Sequence, residues 1–193
     1  HVAEAFTERF PTDEHTASEA LKPVERHEGP VPADDRVVVE GFGREIVLNA
    51  AFGHTVNETL GRLLSALIGQ RTGSSVAMEV DPYRIELEVP SGVTIGDVVE
   101  ILETTDPEHV ATLVELSLKN ADSLKYTLAQ VAAKFGALKR WKGKGASENR
   151  FGKDRLLEAL EDTPIYDEAV RVVLHEQLDA AGASDVLRRL QSG

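Results

Sequence analysis

The side chains in this sequence whose types and spacing suit them to chemistry are cationic, and they stand together. Between Leu118 and Arg155 lie seven of the eight lysines (Lys119, Lys125, Lys134, Lys139, Lys142, Lys144 and Lys153) with Arg140, Arg150 and Arg155. Only Asp122, Glu148 and Asp154 oppose them, so the stretch carries ten basic groups against three acidic ones, a net +7. The rest of the chain holds 11 basic and 30 acidic groups, and the whole has a formal net charge of −12. Charge of one sign focuses a field and concentrates a polyanion, which makes nucleic acid the first partner to consider. A solvated loop that offsets an acidic neighbour has the same composition. Trp141, the one tryptophan, stands among Lys139, Arg140 and Lys142. Lysine and arginine neutralise phosphates, and an exposed aromatic beside them stacks on an unpaired base. The alternative for Trp141 is to fold back and pack the loop against the body.

Other chemistries find less support. There is no cysteine, which removes disulfides, thiolate nucleophiles and cysteine-ligated zinc together. The histidines at 1, 15, 27, 54, 109 and 175 form neither HExxH nor an i, i+4 ligand pair. KGKG at 142–145 lacks the spacing and the terminal Ser/Thr of a P-loop, and no GxSxG occurs. Carboxylates number 33, so close pairs arise by chance, and none stands in a recognisable acid–base arrangement. The chain by itself is read as non-catalytic, with no cofactor or metal of its own. No apolar run approaches a membrane span and the first residues lack a signal peptide's pattern, which gives a soluble, cytoplasmic protein as the expectation. Thirteen arginines, eight lysines and the net −12 suit a salty cytoplasm, and an ordinary acidic protein as well. A start at His1 gives a fragment of a longer chain, or a tag remnant, as the expectation.

The elements that must position the basic stretch follow from the periodicity. Residues 12–28 read as a polar surface helix kinked or ended by Pro23, and 29–35 as a proline-rich entry loop. The β-branched runs 36–41 and 44–51 read as a hairpin turning at Phe42-Gly43. A helix then carries Leu60, Leu63, Leu64, Leu67 and Ile68 on one stripe, with Thr55 and Glu58 as its capping box and Gly69 and Gly73 ending it. On it Asn57, Glu58 and Arg62 are either a capped, solvated face or a ligand-facing one. Val76, Met78 and Val80, then Ile85, Leu87 and Val89, alternate with polar residues across a turn at Asp81-Pro82, a second hairpin with one face packed and one wet.

From Thr94 on the period is helical. Thr94 with Asp97 forms a capping box, and Asp106-Pro107 opens the next helix. The helix after Asp122 places Leu124, Leu128, Val131, Phe135 and Leu138 on its buried stripe, leaving Lys125 and Lys134 for solvent or a ligand. Residues 139–153 are too rich in glycine and polar groups for a helix and read as a loop. Helices over 154–161, over 165–178 after a Thr163-Pro164 cap, and over 184–191 complete the chain. The fold class is α+β: a small antiparallel sheet of hairpins, or a partial barrel, packed with helices. The expected division is 1–30 as N-terminal helix and linker, 31–92 as a β-rich lobe with one long helix, and 93–193 as a helical lobe, within one compact domain.

Four strings in order, IVLNAAFGHTVNETLGRLLSALI, SSVAMEVDPYRIELEVP, SLKYTLAQVAAKFGALKR and DTPIYDEAVRVVLHEQLD, resemble the DEAD/H-associated region of Lhr-type large helicases. The resemblance spans roughly residues 11 to 190, and its most specific parts are residues 50–61, DPYRI at 81–85, and Phe135 to Leu138. It implies an accessory domain that follows two motor lobes and a winged-helix domain in an ATP-dependent, 3′-to-5′ DNA helicase of superfamily 2, with a role in DNA repair. ATP and magnesium would then belong to the motor lobes, outside this chain. The partners it implies are single-stranded or forked DNA and the motor and winged-helix domains of the same polypeptide, in a monomer.

The residues expected to grip DNA are Lys139, Arg140, Trp141, Lys142 and Lys144, with Arg150, Lys153 and Arg155 beyond them and Lys125 and Lys134 supporting from the helix. That assignment comes from charge. One rival is a scaffolding domain that docks on the motor and winged-helix domains through an acidic face without touching DNA. Another is a nucleic-acid-processing enzyme such as a base-excision activity, which needs a buried acid or base facing a pocket.

Overall fold

The computed structural model describes residues 7–25, 29–118, 121–137 and 150–192. Helix α1 (Glu14–Glu25) opens where the Asp13 carboxylate accepts the Thr16 backbone N–H at 2.8 Å. It runs through Pro23 to Glu25, inside the expected span, so the proline does not end it: in the last turn a proline removes one backbone donor without breaking the helix before it. Ala17 is its one buried residue among those with described side chains, which makes α1 the surface helix expected.

Period-two alternation produces four strands, β1 (Val38–Phe42), β2 (Glu45–Asn49), β3 (Ala77–Asp81) and β4 (Arg84–Glu88). They form an antiparallel, open sheet in the order β1-β2-β4-β3, so the expected hairpins are joined through β2 and β4 and the barrel alternative is not formed. Both turns sit one residue later than predicted. Phe42 pairs with Glu45, which leaves Gly43 and Arg44 to make the turn, and Gly43 supplies φ 68°. Asp81 pairs with Arg84, leaving Pro82 and Tyr83 at the second tip.

One face of the sheet is apolar. Ile46, Leu48, Ile85 and Leu87 are buried there, with Val39, Met78 and Val80 beside them in register. Helix α2 (His54–Thr72) lies against this face through its leucine stripe, with Leu60, Leu63, Leu64 and Ile68 all buried. A Cβ at Gly61 would stand 3.2–3.3 Å from Ile85, Met78 and Val80, so glycine lets helix and sheet approach closely. The expected Thr55–Glu58 capping box is not formed. Gly53, at φ 88°, holds the cap position with no side-chain cap, and Glu58 pairs instead with Arg62 at 2.7 Å. Gly73 at φ 69° ends the helix, while Gly69 stays inside it and accepts the Gly73 N–H.

The opposite face of the sheet is acidic. Across one row stand Phe42, Glu45, Glu88 and Ala77, and across the next Glu40, Val47, Glu86 and Glu79.

Beyond the sheet lie α3 (Ile95–Thr104), α4 (Val110–Leu118), α5 (Asp122–Lys134), α6 (Arg150–Leu160), α7 (Pro164–Glu176) and α8 (Ala180–Ser192). The Thr94–Asp97 capping box is present in both directions. Asp106 caps as expected, but Pro107–His109 forms a 3₁₀ turn before α4 rather than its first turn. Thr163 caps α7 with Pro164 in its first turn. Helix α8 begins four residues before the predicted Ser184, because the Asp179 carboxylate accepts the Gly182 N–H at 2.7 Å. Helix α2 packs on α4 and α8, and α5 on α6 and α7. Val98, Ile101, Val114, Leu118, Leu124, Leu128, Val173 and Leu187 continue the core begun by the sheet. Among the described residues no helix is long and apolar enough to cross a membrane.

Candidate nucleic-acid interface

The basic segment begins on α5 and ends on α6, and these helices pack on each other. Leu124, Leu128 and Val131 bury the stripe of α5 as its spacing demands. The stripe stops there. Phe135, predicted to be core, lies at the C-terminal cap and is 67 % exposed, because the helix ends at Lys134 and Gly136 at φ 73° turns the chain away. Lys134 is exposed in the last turn, where a cation also suits the helix dipole.

Lys125 is not a free contact. Its ammonium lies 2.6 Å from the Asp154 carboxylate on α6, and its side chain is only 12 % exposed. The predicted loop is also shorter than expected at its far end: α6 begins at Arg150, so Arg150 and Lys153 have helical backbone, and Arg155 on the same helix is exposed. Lys139, Arg140, Trp141, Lys142 and Lys144, like Leu138, lie outside the described residues. Of the candidate residues and their neighbours, those described as exposed are therefore Lys134 and Phe135 at the end of α5 and Arg155 on α6. Tyr126, 56 % exposed on α5, adds an aromatic that the periodicity alone does not single out. Its spacing of two from Leu124 and Leu128 is the available signal, since that offset leaves the buried stripe.

The three residues of α2 left open between solvent and ligand turn out to be structural. Asn57 is fully buried, and its amide donates to the carbonyls of Ala50 at 2.7 Å and Asp81 at 3.0 Å. Glu58 and Arg62 form an ion pair with side chains 16 % and 15 % exposed. Asn57 thus ties the segment before α2 to the tip of the second hairpin, whose Pro82 and Tyr83 carbonyls accept from Gly53 and Ala50. That tip displays Tyr83, 72 % exposed.

Titration behaviour follows the same structural logic. Hydrogen bonds from the Tyr83 N–H and from Arg84 hold the Asp81 carboxyl below its usual value. The Thr94 hydroxyl and N–H do the same for Asp97, and the Thr16 N–H and hydroxyl for Asp13. Burial raises Tyr166. These carboxylates are held ionised as turn and cap acceptors, the opposite of an acid kept protonated for catalysis. Among the described residues, no group of three or more His, Cys, Asp or Glu stands close enough to hold a metal.

Comparison with known proteins agrees along nearly the whole chain. The family model described as DEAD/H associated matches residues 31–193. The ATP-dependent helicase Lhr-Core of Methanocaldococcus jannaschii is 26 % identical, over 97 % of this chain and 23 % of that protein. The Lhr-Core helicase of Saccharolobus solfataricus is 21 % identical, over 99 % of this chain and 24 % of that protein. The chain therefore spans about a quarter of the length of these relatives. A solved structure, Mycobacterium smegmatis helicase Lhr bound to ssDNA and AMP-PNP, superposes with a TM-score of 0.70 at 17 % identity, covering 98 % of this chain and 26 % of that one. At that identity the likeness establishes a shared fold.

Proposed function

The chain belongs to the DEAD/H associated family, and from that premise we propose that it is the accessory region of an Lhr-type, ATP-dependent DNA helicase, holding the tracked single strand through its basic segment. One observation carries this reading: ten of the 21 cationic residues of a chain with net charge −12 fall between Leu118 and Arg155, and all but Lys119 belong to two packed helices and the segment between them. The relative of known structure has single-stranded DNA bound, which supports the same partner here. Lys134, Arg150, Lys153 and Arg155 would neutralise phosphates from the helices, and Lys139, Arg140, Lys142 and Lys144 from the segment between, with Trp141 and Phe135 offering faces for unpaired bases. Lys125 acts from behind, holding α6 to α5 through Asp154. ATP and its magnesium are assigned to motor lobes elsewhere in the polypeptide. In the same proposal the helicase is a cytoplasmic monomer that acts on forked DNA in repair.

The test is a salt titration of binding to single-stranded DNA, for the wild type and for a variant with Lys139, Arg140, Lys142 and Lys144 changed to alanine. Each phosphate contact to a single strand adds about 0.7 to the log–log salt slope, so removing four should lower that slope by about 3. No binding by either protein at low salt removes the proposed contact. Equal binding by both removes this segment as the site and puts the contact elsewhere on the chain, whereas the absence of binding by either favours the scaffolding alternative.

A further inference from the structure

Among the described residues, no helix packs on the outer face of the sheet. The helices described against the sheet, α2 and α3, pack on its other side, where Gly61 meets Met78, Val80 and Ile85 and Gly41 meets Ile95. Six carboxylates share the open face by register: Glu40, Glu45, Glu79, Asp81, Glu86 and Glu88. Two cations offset them, Arg84 beside Asp81 and Glu86 and the turn residue Arg44 beside Glu88, leaving a net −4. Glu45 stands directly opposite Glu88, and Glu79 opposite Glu86, an arrangement of like charges that a sheet built only for stability avoids. Among these carboxylates lies Phe42, 64 % exposed on an edge strand. It shares a groove of about 460 Å³ with Glu45, Glu79, Glu86 and Glu88. An aromatic anchor inside a charged rim is the composition of a protein-binding surface, and this charge repels DNA.

We infer that this face docks a basic surface, bearing lysine or arginine, from the part of the polypeptide outside this chain. Charge complementarity sets the sign of the occupant. Its source follows from length, since the chain spans about a quarter of its curated relatives and most of such a polypeptide lies elsewhere. The inference rests on the reading of the chain as one region of a longer protein, and not on the DNA contact. Phe42 fills the groove between the two partners, and Glu45, Glu79 and Glu88 pair with the incoming cations.

Carboxylate footprinting of the intact polypeptide tests this, using carbodiimide and glycine ethyl ester with no nucleic acid present. At about 50 mM salt, Glu45, Glu79 and Glu88 should label at least about fivefold more slowly than the exposed references Glu103 and Glu158, and at about 1 M salt they should approach the reference rate. The double variant Glu45→Lys, Glu79→Lys should release Glu88 to the reference rate already at low salt. Labelling at the reference rate in the wild type at low salt overturns the inference, as does protection that survives high salt. Protection that rises with protein concentration assigns the face to a second copy and overturns it as well. Because DNA is absent, loss of the footprint and loss of DNA binding are separate results.

Discussion

Lys125 and Asp154 join the two helices that flank the basic segment: Nζ lies 2.6 Å from Oδ1, with the lysine side chain 12 % exposed and the aspartate 43 %. A lysine so placed orients its neighbours and has little of its charge left for a ligand. Asp154→Ala would leave that ammonium largely desolvated without this carboxylate, between the limits of an exposed and a buried pair. A loss of about 1–2 kcal/mol is expected in chemical denaturation. Lys125→Met, which keeps the apolar stem, should cost less and leave the salt slope of DNA binding unchanged, whereas Lys134→Ala should lower the slope by about 0.7.

Asn57 holds the segment before α2 to the tip of the second hairpin by donating to the carbonyls of Ala50 and Asp81. Alanine there would remove two hydrogen bonds inside the fold and open a polar gap. A cost of about 2–3 kcal/mol follows, measurable as a lower urea midpoint with an unchanged slope. Asn57→Asp should be worse near neutral pH, because an ionised carboxylate facing two carbonyl oxygens has no donor to offer.

These two residues show where the sequence is legible and where it is not. Period-two and period-3.6 patterns locate the strands and most helices, because burial of Ile46, Leu48, Ile85, Leu87 and the α2 leucines is the main driving force for folding and leaves a periodic trace. Asn57 escapes such a reading because its role is set by backbone carbonyls 7 and 24 residues away, which no local pattern reports. Phe135 fits the stripe of α5 by spacing, and only the helix end at Lys134 puts it in solvent. Lys125 likewise fits a free cation until α6 brings Asp154 to it. For the candidate site, composition marks the charge and the fold decides which charges are already paired.

The pH dependence of stability follows from the capping carboxylates. Asp81 and Asp97 have folded pKa values below the usual 3.8. Protonating them therefore favours the unfolded chain: their contribution is present above the unfolded value and is lost as pH falls through the folded one. The urea midpoint should fall steadily from about pH 5 to about pH 2. Asp97→Asn keeps an acceptor for the Thr94 N–H without a titrating group, and it should flatten that fall. An unchanged profile would show that Asp97 does not contribute.

On the open face of the sheet, Glu79 stands opposite Glu86, whose charge is already shared with Arg84 at 3.1 Å. Glu79 has no cation directly across from it, so its repulsion is a cost carried by the isolated fold. Glu79→Gln should raise stability by about 0.3–1 kcal/mol at low ionic strength. The gain should shrink as salt rises to about 1 M, where the screening length is about 3 Å. Chemical denaturation at both salt concentrations measures it. If the substitution destabilises the chain at low salt, the carboxylate is making a contact within the fold and is not held in reserve for a partner.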